Sequence, residues 1–356
     1  MASPEPRLRA VPVPAPGPVE MPSEFQPHRL LRRAVPVVVL LTVLVLIVVL
    51  APGLDQLRHV ISKGRPGWLA VAVVLEGLSC ASYVVLFRPI FCRHMGWRTS
   101  WEIGWSELGM GSIVPASGIG GLALGAWILR EGGMPGERIA RRSVAFFLIK
   151  GAVNFVAVAV VGVVMALGVG PHVSLWLSAL PAGGAAAVIA LVVLVPRIGT
   201  GGPPGAGAGR IKRARSTSRR TLIEGVAEAL SILRERDPLV FIGAIGYWAW
   251  DNAVLWATFH AFGYSPPITI VLMAYLIGQM GGLLPIPGGI GGIDGGLFGT
   301  FVLYGAPAAV TAAAILAYRI ILFWLPLVIG GVAFTSLRRG LNRPDRPDLC
   351  VVPAAG

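Results

Sequence analysis

Six ionisable side chains stand where such groups are costly. Glu76, Glu107, Lys150, Asp251, Asp294 and Arg319 fall within or beside strongly apolar segments. A charge at the centre of a bilayer costs roughly 2.5 to 3.5 kcal/mol on insertion scales, so residues of this kind are functional candidates by default. Their order is regular. An acid lies in the helix before each of two Pro/Gly-rich segments (Glu76, Asp251), an acid lies in each segment (Glu107, Asp294), and a base lies in the helix after each (Lys150, Arg319). A carboxyl at membrane depth can relay a proton, and a base beside exposed backbone N–H groups can hold an anion. Glu76, Glu107 and Asp251 are thus candidates for proton or ion coupling, and Asp294 and Arg319 for substrate binding and translocation. The competing structural reading makes them neutralising pairs, Asp294 with Arg319 foremost, and lets Lys150 snorkel toward an interface.

The two Pro/Gly-rich segments carry the remaining candidates. LLPIPGGIGGIDGGLFGTFVLYGAP occupies Leu283 to Pro307, and a fainter copy, IVPASGIGGLALGAWILREGGMP, occupies Ile113 to Pro135. Pro115, Gly118, Gly120 and Gly121 in the first, and Pro285, Pro287, Gly288, Gly289, Gly291 and Gly292 in the second, are the candidate binding positions. Small residues at intervals of four also serve simple helix packing. Two prolines and GGIGG, however, do not continue a helix cheaply, which predicts a break with a new helix starting near Ile293. Broken backbone at membrane depth survives only when buried in protein or lining a wet cavity. The new helix start offers N–H groups and about half a positive charge to an anion. Asp294 in its first turn either caps the helix, binds a cationic headgroup or relays a proton. Paired, broken apolar segments in the two halves of a chain point to the binding site of an inverted-repeat transporter.

The elements that must position these residues are membrane helices. Of 356 residues, 55% are hydrophobic and 13% charged, about half the charged fraction of a soluble domain, and mean hydropathy is +0.74. Apolar spans near 67–88, 143–168, 173–195, 239–262 and 308–335 are each about long enough to cross. Regions 100–130 and 266–304 exceed one span and are broken in the middle. The fold class is an all-α polytopic membrane protein, an inverted-topology repeat with two broken or re-entrant helical hairpins; length leaves open whether the hairpins are re-entrant or fully spanning.

Charge bias sets the orientation. Net charge is +13, with Arg and Lys in short runs beside apolar spans, as the positive-inside rule expects. Residues 1–28, rich in Pro and Ala, are a disordered cytoplasmic tail. Arg29, Arg32 and Arg33 precede an apolar run from Ala34 to Ala51 that reads as an uncleaved first transmembrane helix. The integral membrane domain covers 29–338, with a first repeat at about 67–168, a basic cytoplasmic loop 197–236 and a second repeat at about 239–335; a cytoplasmic tail follows at 339–356. An amphipathic helix over Thr221 to Arg236 is expected to lie on the inner leaflet. Both termini are cytoplasmic, and the two hairpins enter from opposite faces of the plasma membrane. Trp97, Trp101 and Trp105, and Tyr247, Trp248 and Trp250, read as interface belts.

Several chemistries find no support. There is no Walker loop, HExxH, GxSxG or DxD, so no catalytic residue is assigned. No cofactor or metal is expected, since the five histidines are isolated and Cys80, Cys92 and Cys350 imply neither a zinc site nor a disulfide framework. No basic domain exists to bind nucleic acid.

At PIPGGIGGIDGG, followed by Gly305-Ala306-Pro307, Tyr318-Arg319 and Trp324, the chain resembles the transmembrane, flippase-like domain of lysylphosphatidylglycerol synthase and the stand-alone integral membrane proteins related to it. The resemblance covers roughly residues 30–338. Family members usually carry Glu at the position of Asp294, so the acid is kept but shortened. Two-domain members continue into a cytosolic aminoacyl-transferase domain; a stand-alone member without that activity is expected here. The resemblance implies lipid translocation between leaflets, with Pro285, Gly288, Gly289, Gly291, Asp294 and Arg319 at matching positions. The substrate class is an anionic or aminoacylated (glyco)phospholipid or a polyprenyl-phosphate lipid. The alternative is a non-catalytic membrane subunit, or the partner of a separately encoded transferase, in cell-envelope lipid or glycan synthesis.

Overall fold

The computed structural model describes residues 54–113, 119–168, 175–198, 210–280 and 292–341, with single helical positions between 32 and 43. All secondary structure among the described residues is helical. The expected breaks inside both Pro/Gly segments, most of the first expected span and both tails lie outside them.

Helix α1 (Asp55–Ser62) is short and amphipathic. It leads into α2 (Pro66–Phe91), whose Pro66 sits in the first turn, where its missing N–H costs nothing. Helices α3 (Trp97–Ile113) and α4 (Ile119–Glu131) form the first broken pair, and α5 (Gly136–Ala166) follows. After α6 (Leu175–Leu194) comes α7 (Arg210–Arg234). Helix α8 (Pro238–Ala261) is capped by Asp237, whose carboxylate accepts from the Leu239 N–H. Helices α9 (Ile268–Met280) and α10 (Gly292–Leu303) form the second broken pair, before α11 (Ala308–Leu341).

Among the described residues four helices are long and apolar enough to cross a membrane: Pro66–Phe91, Gly136–Ala166, Ser178–Arg197 and Ala308–Gly340. The protein is a multi-pass membrane protein. Large apolar side chains cover much of the outside, among them Val160 on α5, Leu191 on α6 and Val332 on α11, as expected where the surrounding solvent is lipid. Helices α9 and α10 are apolar but only 13 and 12 residues long.

The centre of the bundle is the antiparallel pair α2 and α8. Glycine brings them together: a Cβ on Gly243 would lie 2.5 Å from Leu86 N, one on Gly246 would lie 2.6 Å from Ser82 Oγ, and Ser79 Oγ donates to the Tyr247 carbonyl. One apolar core, around Phe87, Phe91, Ile103, Leu124 and Phe146, joins α2 to α3, α4 and α5. Another, around Leu255, Phe259, Val271, Phe301 and Tyr318, joins α8 to α9, α10 and α11. Helix α3 also crosses α11, where a Cβ on Gly109 would stand 2.8 Å from the Pro326 carbonyl.

The exits of the two broken pairs are built alike. Gly133 and Gly305 have φ of 88° and 89°, a region open to glycine. The Gly133 N–H donates to the Arg130 carbonyl and Met134 N–H to that of Leu129, while Gly305 donates to Val302 and Ala306 to Phe301. Pro135 and Pro307 then accept from Ile139 and Thr311 in the first turns of α5 and α11.

Three expectations are corrected. The basic segment from Arg210 to Arg220 is part of helix α7, not loop. Helix α7 buries Ile223, Val226, Ala229 and Ile232 against protein, with Gly225 seated on Val144 of α5, instead of offering its apolar face to a leaflet. Ion pairs from Arg141 to Glu224 (3.7 Å) and Arg142 to Glu228 (2.9 Å) fasten it. Last, Cys92 is disulfide-bonded, whereas Cys80 is free and buried; spacing of three cysteines along a chain carries no information about which distant pair meets.

Candidate functional site

The interior polar residues are held by helices that are apolar on nearly all sides, so their side chains have little choice but to find each other. On α2, Glu76 is 5% exposed, and its Oε1 accepts from the Cys80 thiol at 3.3 Å. Its Oε2 has no hydrogen-bond partner. One turn along α2 from Ser79 and one turn along α8 from Tyr247, the antiparallel register brings Glu76 beside Asp251, and the two carboxyls act on each other electrostatically.

Asp251 is well supplied with donors. Tyr318 Oη on α11 donates to its Oδ1 at 2.9 Å, and Tyr275 Oη on α9 donates to its Oδ2. Glu107 on α3 is buried in the other half, where Tyr83 Oη on α2 donates to its Oε2 at 2.8 Å. Each acid is thus bonded by a tyrosine exactly one helix away in sequence, 24 residues apart in both cases. The order is exchanged: tyrosine on α2 and acid on α3, acid on α8 and tyrosine on α9.

Lys150 joins these groups. Its Nζ lies 4.9 Å from the ring centroids of Phe147 and Tyr247 and 5.5 Å from that of Tyr83, and its charge acts on Asp251 and Glu107. The ammonium turns inward to a cage of rings, where cation–π attraction partly replaces its hydration, and the snorkelling expectation is set aside.

Asp294 and Arg319 form an ion pair, Arg319 Nε donating to Asp294 Oδ1. Asp294 sits in the first turn of α10, which starts at Gly292, so the helix dipole favours its negative charge. Arg319 follows Tyr318 on α11 and also acts on Asp251. Its Nη2 is buried without a hydrogen-bond partner. A guanidinium half engaged by a carboxylate, with a spare donor beside a helix N-terminus, is suited to an anionic oxygen.

The glycines of the first pair act by proximity. Gly120 lies in the first turn of α4; a Cβ on Gly121 would collide with the Glu107 carbonyl, and one on Gly125 with the Glu107 carboxylate. In the second pair Gly278 packs on Leu297, and Gly296 would stand 3.0 Å from Gly278 Cα. Pro115, Gly118, Pro285, Pro287, Gly288, Gly289 and Gly291 lie outside the described residues.

Sequence reasoning missed the phenols. Tyr83, Tyr275 and Tyr318 carry no spacing that sets them apart from packing aromatics, and Tyr247 with Trp248 read as an interface belt. Both are half-buried and packed within the bundle, Trp248 Nε1 donating to Asn154 Oδ1 at 3.1 Å, and Trp105 is 2% exposed. Trp97, Trp101 and Trp250 remain exposed. Among the described residues no cluster of three or more His, Cys, Asp or Glu side chains is placed to hold a metal ion.

Residues 35–330 match the protein family described as lysylphosphatidylglycerol synthase TM region. The chain is also similar to UPF0104 membrane proteins of Methanothermobacter thermautotrophicus, 30% identical over 103 residues in one match and 37% over 94 in another. A UPF0104 membrane protein of Methanocaldococcus jannaschii is 29% identical over 105 residues. These matches take in 29%, 26% and 29% of this chain and 30%, 27% and 31% of the respective relatives, so the chain aligns with under a third of the length of each.

Proposed function

The chain belongs to the lysylphosphatidylglycerol synthase transmembrane-region family, and from that premise we propose that it moves an anionic or aminoacylated (glyco)phospholipid, or a polyprenyl-phosphate lipid, between membrane leaflets. The observation that carries this reading is Arg319: a half-buried guanidinium, paired to Asp294 in the first turn of α10 through Nε, whose buried Nη2 has no hydrogen-bond partner. A lipid phosphate supplies the missing acceptor, and Asp294 limits how tightly it is held, as transport requires release.

The inverted repeat belongs to this reading. It places α2 to α5 against α8 to α11, with the two broken pairs as hairpins entering from opposite faces and both termini cytoplasmic. The matched Gly133 and Gly305 exits and the exchanged acid and tyrosine pairs support it. The protein is read as a carrier, not an enzyme.

The test is mass spectrometry of the lipids retained by protein purified in mild detergent. Enrichment of one anionic class in the wild type, lost in Arg319→Ala, is the expected result. A neutral double variant, Asp294→Asn with Arg319→Gln, keeps the pair's shape without its charge and is expected to lose the same lipid. Bulk-like lipid in all three, with a soluble transferase co-purifying, overturns the reading in favour of a partner subunit.

A further inference from the structure

We infer that Glu76 holds an exchangeable proton, shared with Asp251 across the α2–α8 contact, and that this proton is the ion coupled to transport. Charge balance and geometry lead there together. Among the described residues three carboxyls are buried, Glu76, Glu107 and Asp251, all at most 6% exposed. Arg319 is engaged by Asp294, which leaves Lys150, among the described residues, as the one cation against these three carboxyls, an excess of acid that calls for at least one proton. An uncompensated charge in such surroundings is far more costly than a proton.

The surroundings say which carboxyl carries it. Glu107 has the Tyr83 hydroxyl and the Lys150 charge. Asp251 has the hydroxyls of Tyr275 and Tyr318 and feels both Lys150 and Arg319. Tyr247, on the same helix, is turned to the Lys150 ammonium. Glu76 has a single weak donor, the Cys80 thiol, and a buried Oε2 with no partner at all. Protonating that oxygen removes an orphaned buried acceptor and the repulsion between Glu76 and Asp251.

A metal cation fits less well. Sodium needs about six oxygens to replace its water, by analogy with other hard cations, and both Asp251 oxygens already accept phenol hydrogens. A proton needs one lone pair. Loss of the proton leaves two carboxylates that repel each other between α2 and α8, so release is tied to movement of the helices or to departure of an anion from Arg319, whose charge also acts on Asp251. The coupling role rests on the lipid reading; the proton does not.

Infrared spectroscopy of the full-length protein in membranes tests it. At neutral pH the wild type is expected to show a carboxylic-acid carbonyl band that shifts in heavy water, is unmoved by sodium chloride, is lost in Glu76→Gln and persists in Glu107→Gln. Should Glu76→Gln fail to fold, Asp251→Asn is expected to shift the same band, because its nearest neighbour has changed. Absence of the band, its persistence in Glu76→Gln, an unchanged band in Asp251→Asn, or its removal by sodium overturns the assignment. A band that behaves as expected in a protein that moves no lipid leaves the proton site standing and removes the lipid reading.

Discussion

Gly125 of α4 lies so close over Glu107 of α3 that a Cβ at that position would occupy the place of the Glu107 carboxylate. The small residue is therefore what admits a buried acid between the arms of the first broken pair. Gly125→Ala is expected to destabilise the protein by about 1–3 kcal/mol, the usual range for overpacking. Glu107→Ala in the same chain is expected to relieve most of that loss, a coupling of the sort contacting residues show. Gly111→Ala, with nothing within 4 Å, is the control and is expected to be near neutral. Thermal unfolding in detergent measures the three variants against the wild type.

Asp251 receives two phenol hydroxyls, and the two are expected to be non-additive. Tyr275→Phe and Tyr318→Phe each remove one donor and are each expected to cost about 1 kcal/mol, near the values measured for hydrogen bonds inside membrane proteins. The double variant is expected to cost more than the sum, since it strips Asp251 of both donors. Equal additivity would mean that Asp251 does not depend on them.

Helix α7 is held by packing more than by its ion pairs. Partly exposed pairs contribute about 1 kcal/mol or less, so Glu228→Ala is expected to leave hydrogen exchange in Arg210–Arg234 nearly unchanged. Val226→Asp buries a lone charge against α5 and is expected to raise exchange throughout the helix. The reverse order would show that charge, not burial, fixes α7.

Orientation is open to single-cysteine labelling in a cysteine-free background. Gly170, Ser265 and Pro307 are expected to label from outside, and Gly205 and Asp345 from inside only. Labelling of Gly170 and Pro307 from opposite sides would break the inverted repeat.

Helices longer than a bilayer announce themselves by composition, and for that reason α2, α5, α6, α8 and α11 were legible as apolar runs. The helices on either side of each Pro/Gly cluster, α3 with α4 and α9 with α10, were legible too, as apolar segments flanking residues that do not continue a helix cheaply. The pairing of Asp294 with Arg319 followed from the cost of leaving either charge alone. What was not legible came from contacts between distant segments. Lys150 turns inward because three rings from α2, α5 and α8 meet around it, and nothing near Lys150 in sequence reveals Tyr83 or Tyr247. Tyr275 and Tyr318 look like packing aromatics until Asp251 is placed between them. Helix α7 has the same amphipathic pattern whether its apolar side meets lipid or α5, so its true partner was hidden.

The central claim is movement of an anionic lipid past Arg319. Vesicles containing the purified protein and an acyl-labelled fluorescent phosphatidylglycerol, challenged with an impermeant quencher, measure it directly. Wild-type protein is expected to make the inner-leaflet label accessible well above the rate of protein-free vesicles, and Arg319→Ala, folded and inserted, is expected to fall to that background. Wild-type protein at the background rate, or Arg319→Ala at the wild-type rate, would contradict the account.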